Sequence, residues 1–298
     1  MKTQIRGAGY RLLRALSAPF EVATRVGFPR LRILAYHDAP DVSRFDIQMS
    51  YLADHYEVVV GPNFTKLASM KPPVWITFDD GDPSVVDTAL DVLSRYGFSA
   101  TAFICPGVID TVEPYWWQVV TEAFESGITV AGQGLGPDEV RRLKSVSDDQ
   151  RRRRVAEIRG VLTEQKGEFR QRQLTTEDLR RWLSAGHSLG NHSWDHPMLD
   201  QCTIDEQHRQ IDTSHQWFID RGYGKPRWFA YPNGNSFIGA EQHLAAFGYE
   251  AALLFDHRLA SKSQGLTLSR IRVNGADSLD EFISKVSGVH PMMMRWRR

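Results

Sequence analysis

Two rhythms of apolar and polar positions alternate along this chain. Short runs rich in β-branched and aromatic residues read as buried strands: ILAYH (33–37), VWITF (74–78), SATAFI (99–104), SLGNH (188–192), RWFAYP (227–232), AALLF (251–255) and SRIRV (269–273). YEVVV (56–60) reads as a shorter one. Between them the period lengthens to that of a helix. VVDTALDVLSRYG stops at Gly97, a residue suited to a left-handed helix end. TTEDLRRWLSAG begins at a capping Thr175 or Thr176 and stops at Gly186. Over 203–220, Ile204, Ile211 and Phe218 recur every seven residues and predict one buried stripe.

Strand and helix alternating over this length imply a parallel sheet with crossover helices. Seven or eight units favour closure, so the expected fold is α/β: a single distorted (β/α) barrel of about seven strands. The stretch 113–173 breaks the rhythm. It runs from EPYWWQVVTEAFESG through a Gly-rich turn, AGQGLGPDE, into a charged helical piece carrying Arg151–Arg154. It shows no strand and is expected to be a helical insertion in a barrel spanning 31–288. AGQGLG fits neither the dinucleotide nor the P-loop pattern, and four arginines on a helix read as a solvated face.

Composition changes this picture little. Lys plus Arg and Asp plus Glu number 36 each, so whole-chain charge gives no reason to expect a nucleic-acid partner. The two cysteines, Cys105 and Cys202, have no metal spacing, which fits a reducing compartment. Charge is concentrated at the ends. Residues 1–30 carry six basic residues against one acid, Glu21, with Leu12, Leu13, Leu16 and Phe20 at helical spacing. The tail 289–298, ending MMMRWRR, repeats the theme. Neither end has a signal-type apolar stretch. The expectation is a cytoplasmic protein whose basic ends are solvated or docked on the core, with an interfacial patch resting on anionic lipid at the inner membrane face as the alternative.

The chemistry emerges at the residues just after each strand, because a parallel barrel collects its active groups at the C-terminal strand ends. After ILA come Tyr36, His37 and Asp38; after VWITF come Asp79, Asp80 and Gly81; after SLG come Asn191, His192, Ser193 and then His196; after WFAY come Pro232, Asn233 and Gly234. His192 and His196 are four apart, but Ser193 stands where a helical zinc-protease motif has Glu, and Pro197 biases His196 away from helix. A loop that points both rings at one ion remains. Two histidines and one carboxylate leave coordination positions open, and a second, neighbouring carboxylate is placed to act as general base.

FDDG (78–81), HSWDH (192–196) and FAYPNG (229–234), in that order, resemble the NodB-homology polysaccharide deacetylases, carbohydrate esterase family 4. The resemblance runs from about residue 31 to 275. It implies that Asp79 is the base, that Asp80, His192 and His196 hold one divalent ion, often Zn2+, with Co2+, Ni2+ or Mn2+ as alternatives, and that the Asn233 amide helps bind the oxyanion. Tyr231, Trp194 and Arg270 are placed with substrate. The chain departs from the family pattern at Ala230, where many members carry an arginine that orients the base; Arg270 or Arg272 is the candidate replacement. The usual late Leu-x-x-His motif is absent, and Asp256 is a candidate for the late Asp. A subgroup similar to poly-N-acetylglucosamine deacetylases carries its acid in an early Tyr-His strand, which makes His37 the expected acid. The implied activity is removal of an N-acetyl group from an amino sugar. The motifs leave open a deformylase or amidohydrolase acting on a lipid-linked or nucleotide sugar, and a non-catalytic carbohydrate-binding member.

Overall fold

The computed structural model describes residues 2–17, 30–64 and 71–295. Eleven strands are named in chain order among these: β1 Arg32–Tyr36, β2 Glu57–Val58, β3 Pro73–Phe78, β4 Ala100–Ile104, β5 Thr129–Val130, β6 Gln133–Gly134, β7 Ser188–Asn191, β8 Trp228–Ala230, β9 Ala251–Leu253, β10 Thr267–Leu268 and β11 Ile271–Arg272. Nine form one sheet in the order β10-β9-β8-β7-β4-β3-β1-β11, with β2 on β3. Every pairing in that sheet is parallel. The expected strands are therefore all present, because buried parallel strands read as continuous apolar runs.

The sheet curls into a distorted (β/α) barrel. Its two edges, β10 and β11, are joined by only Ser269 and Arg270. The two edges are not paired with each other; the chain itself spans the seam, and an antiparallel bridge joins Leu31 to Ala260. A residue at the seam can turn inward without leaving a ladder, and Arg270 does so, with no exposed surface.

The helices start and stop as their caps dictate. Thr175 caps the helix Thr176–Ser184 through a reciprocal box with Asp178, and Gly97 and Gly186 take left-handed φ just beyond their helices. The expected stripe on Ile204–Asp220 is corrected at one end. Ile211 and Phe218 are buried, but Ile204, at the first helical position, is 67% exposed.

The stretch 113–173 lies between β4 and β7, which pair directly. It folds as the helices Trp116–Glu125, Glu139–Leu143 and Asp148–Lys166 around a small core of its own: Val119, Val120, Ala123, Ile128, Val130, Leu143, Ile158 and Leu162. It is not strand-free as expected, because β5 and β6 form an antiparallel hairpin turning at Ala131 and Gly132. The arginine run faces carboxylates: Arg151 and Arg152 meet Asp148, Arg153 meets Asp149, and Arg154 meets Glu139 and Glu157. Among the described residues no helix is long and apolar enough to cross a membrane.

Candidate metal centre and active site

Because the strands are parallel, the residues after β1, β3, β7 and β8 all arrive at one end of the barrel. The loops that carry them are bent hard. Asp80, Ser193, His196 and Asn233 have φ of 68°, 68°, 59° and 55°, four of the seven non-glycine residues with left-handed φ among those described. Such backbone costs free energy and persists where the surroundings force it, typically at functional sites. Ser193 is held by the Asn191 side chain, which accepts its N–H at 2.9 Å, and the Ser193 hydroxyl in turn accepts the His196 N–H at 3.2 Å.

These bends converge three side chains. The Nε2 atoms of His192 and His196 lie 3.2 and 3.3 Å from the same atom, Asp80 Oδ1. That oxygen is buried with no hydrogen-bond partner among the described residues. His192 Nδ1 donates to the Ala230 carbonyl at 2.7 Å, so whenever the ring is neutral its Nε2 lone pair faces the carboxylate oxygen. Lone pair against lone pair is repulsive unless a proton or a metal ion lies between them. All three candidate ligand atoms fall within 4.8 Å of one another, and the carbonyl behind His192 is the support that metal-bound imidazoles use. Burial pushes His196 down to about 3, so this ring is neutral at ordinary pH. Burial opposes ionisation of Asp80, yet His196 and His192 hold its carboxyl well below the usual range. Burial opposes a charge on His192, but Asp79 and Asp80 outweigh it and raise its pKa, so a divalent ion binding here displaces a proton from that ring; with His196 neutral and Asp80 ionised, the three residues fit such an ion.

Asp79 is held apart from this triad. Its two oxygens accept from Arg270 Nη1 and Nη2 at 2.7 and 2.6 Å, with both partners almost wholly buried. Burial alone would raise the Asp79 pKa; the Arg270 charge, then His192, outweigh it and lower the pKa from the ordinary value. Arg270 is fixed by the Leu254 carbonyl at 2.6 Å and Thr77 Oγ1 at 3.2 Å. Asp256 accepts from the Ser269 hydroxyl and the Arg270 N–H, which anchors the seam. The expectation that Arg270 touches substrate is therefore corrected. It has no exposed surface and grips Asp79 instead.

Tyr231 is a second correction. It is fully buried in an apolar cluster with Phe229, Leu199, Ile211 and Leu244, so it packs the barrel wall rather than a ligand. Trp194 is half-buried, and its carbonyl accepts the Gly107 N–H at 2.8 Å. A Cβ at Gly107 would lie 2.8 Å from the Trp194 indole nitrogen, so the indole is wedged over that glycine. His37 lines a cavity of about 150 Å³ together with Asp38, Asp80, Asp82, Tyr115 and Trp117, and its ring meets Phe255 edge-on at 4.9 Å. The Asn233 N–H has no backbone acceptor among the described residues, and the neighbouring Gly234 packs directly against Phe255. His290 bonds His257 at 2.8 Å and is not among the residues lining that cavity.

Residues of 113–173 also reach the site, which the strand-end reading missed. The Tyr115 hydroxyl donates to the Asp80 carbonyl at 2.5 Å, and Trp117 stacks on Tyr115 and meets the His196 ring at 4.5 Å. Arg152 forms paired bonds of 3.0 and 3.1 Å to Asp195, inside the loop that carries both histidines. The Lys144 ammonium donates to the Asn233 side chain at 2.8 Å. The signal available was the YWW cluster soon after a barrel strand; Trp116 of that cluster does pack inward, under Arg151.

The polysaccharide deacetylase family model matches residues 66–172 and 148–252, together more than half of the chain. The chain belongs to this family. Carbohydrate de-N-acetylation is the coarse activity that goes with membership in the polysaccharide deacetylases. Its fold is similar to that of the deacetylase PplD from Streptococcus pyogenes, solved with acetate (TM-score 0.58, 20% identity, 86% of this chain and 98% of that one). IcaB from Ammonifex degensii (0.55, 16%, 87% and 96%) and a de-N-acetylase from Aggregatibacter actinomycetemcomitans (0.56, 15%, 86% and 99%) share it as well. At these identities the likeness concerns the fold. A curated relative, the uncharacterised protein YlxY of Bacillus subtilis, is 40% identical over 62 residues, which span 20% of this chain and 19% of that protein.

Proposed function

We propose that this polysaccharide deacetylase is a metal-dependent hydrolase that removes the N-acetyl group from an amino sugar of a glycan or glycan precursor. The observation that carries the reading is the buried, unpartnered Asp80 Oδ1 faced by two imidazole Nε2 atoms, beside a carboxylate gripped by arginine. A divalent ion there, zinc or another first-row metal, would polarise the amide carbonyl and acidify water. The protein's own groups supply the rest. Asp79, ionised and fixed by Arg270, accepts the proton of the attacking water. The Asn233 N–H donates to the oxyanion as it forms. His37 gives a proton to the nitrogen of the departing amine, and the products are acetate and a free amino sugar. The same reading includes contact of the two basic ends with an anionic membrane face.

The test is acetate release from N-acetylated amino sugars offered as oligomer, lipid-linked and nucleotide-linked forms, with metal content measured alongside. His196→Ala should lose both bound metal and turnover. Asp79→Asn should keep the metal and lose about 10²–10⁴ in kcat. Equal metal in wild type and His196→Ala would show that the ion sits elsewhere.

A further inference from the structure

Tyr115 is a wall of two cavities. One, of about 150 Å³, is the space beside Asp80 and His37. The other, of about 370 Å³, is bounded by Tyr115 and Trp116, by Gly107, on which the Trp194 indole is wedged, and by Arg151, Arg152 and Arg159 of the helix Asp148–Lys166. Two acids also line it, and each is already paired: Glu113 with Arg159 at 2.5 Å, and Asp195 with Arg152 at 3.0 and 3.1 Å. Arg151 meets Asp148. The lining charges answer one another and leave no net demand for an ion. Two N–H groups of the same wall do lack an acceptor. Arg151, 2% exposed, lays its guanidinium over the Trp116 ring at 5.4 Å, and both Arg151 Nη1 and Trp116 Nε1 are buried with no hydrogen-bond partner. A buried donor left unpaired is costly, so two on neighbouring side chains mark a wall that lacks its acceptor. Size separates the cavities as well. Ligand pockets usually run from about 300 to 1,000 Å³. The space beside Asp80 falls below that range and suits the reacting group, whereas the space beside Trp116 falls within it.

We propose that the larger cavity is a second sugar subsite, taking a neutral sugar unit joined to the one whose N-acetyl group is removed. This subsite rests on the deacetylase reading and narrows its substrate to an oligosaccharide or longer glycan rather than a single nucleotide-linked sugar. A sugar unit brings what the wall lacks. Its hydroxyl and acetamide oxygens accept from Arg151 and Trp116, its hydroxyls also donate to the Glu113 and Asp195 carboxylates, and its C–H groups cover indole area at Trp116. Tyr115 is the partition between the two units. Its hydroxyl is fixed on the Asp80 carbonyl and its ring is stacked on Trp117 at 4.4 Å, so it holds its place as the glycan passes. Through Asp195, Arg152 ties the subsite to the loop that carries His192 and His196.

The test compares the metal-loaded wild type with Ala156→Trp. Ala156 lines the cavity from an exposed helix position, so an indole there fills the space without touching the metal triad. N-acetylglucosamine and its di- to pentasaccharides, in 1→4 and in 1→6 linkage, are offered to each protein. Binding is measured by calorimetry and acetate release is scored separately. Oligomers of the preferred linkage should bind at least about tenfold more tightly than the monosaccharide, with kcat/KM rising in step. Ala156→Trp should bring the oligomers down to the level of the monosaccharide and leave the monosaccharide unchanged. Trp116→Phe keeps an aromatic ring and loses the N–H, so it should weaken the oligomers alone. Equal binding of monosaccharide and oligomers, or an equal loss for both in Ala156→Trp, overturns the subsite. If acetate is released with no preference for length, only the subsite falls. If oligomers bind selectively, lose that selectivity in Ala156→Trp and release no acetate from the wild type, the deacetylase reading falls and the subsite stands.

Discussion

Asp79 and Arg270 show how one residue pair joins stability to chemistry. An ionised carboxylate with almost no exposure survives only because a guanidinium satisfies both its oxygens. Arg270→Met should leave that carboxylate buried without its cation and cost about 3–5 kcal/mol of stability. Asp79→Asn/Arg270→Met should recover most of the loss, since the orphaned charge is then gone. Urea unfolding of the three variants checks this; additive losses would mean that the pair is not coupled. The motif residues were legible because chemistry restricts them to Asp, His and Asn at strand ends. Arg270 and Tyr231 were misplaced for a physical reason. Both lie in strand-like runs, where one-residue steps alternate between barrel interior and wall, and neither seam geometry nor the packing of Phe229 and Leu244 is written in the local pattern.

At the scale of elements, the long periodic segments were readable and the short ones were not. A hairpin of two-residue strands at 129–134 has no period to detect, and the Gly-rich turn that closes it looked like a loop. The contacts of Tyr115, Lys144 and Arg152 with the site are tertiary, set by how 113–173 folds back over the barrel mouth. The approach to β7 offers a test of packing. His187 is buried, stacks on Trp182 at 4.1 Å, accepts the Ala100 N–H on Nδ1 at 3.2 Å, and has no partner for Nε2 among the described residues. Burial pushes its pKa down to about 4. The unfolded chain, with an ordinary value of about 6.5, therefore takes up the proton first as pH falls. The contribution is neutral above that value, and stability is lost as pH drops from about 6.5 towards 4. His187→Gln keeps an acceptor for Ala100 but cannot protonate, so its urea midpoint should fall less than the wild type's between pH 7 and pH 4.5. Parallel falls would show that the ring is not held neutral.

Over the whole molecule, formal charge sums to zero, so any attraction to an anionic surface must come from where the charges sit. The fold packs the N-terminal helix against a late helix of the barrel. The helix Lys2–Ala15 lies along Leu279–Val286, Arg14 pairs with Asp280 at 2.6 Å, and Ser287 donates to Ser17 at 3.2 Å. Arg11 is largely exposed beside them. Leu12 and Leu16, one helical turn apart, are 69% and 51% exposed, and Met292, Met293 and Met294 on the closing helix Val289–Arg295 are also exposed. The N-terminal helix thus exposes apolar side chains beside arginines, and we propose that this surface rests in a lipid headgroup layer. Residues 18–29 and 296–298, including Phe20 and the last two arginines, lie outside the described residues. Cosedimentation with vesicles should therefore require anionic lipid and weaken between about 0.05 and 0.5 M salt, as screening shortens the reach of the charges. Leu12→Ser/Leu16→Ser should weaken binding at every salt concentration, because it removes apolar area rather than charge. Acetate release from a soluble substrate should be unchanged in that variant. Binding to neutral and anionic vesicles alike, or to neither, would remove the membrane from the account and return both ends to solvent.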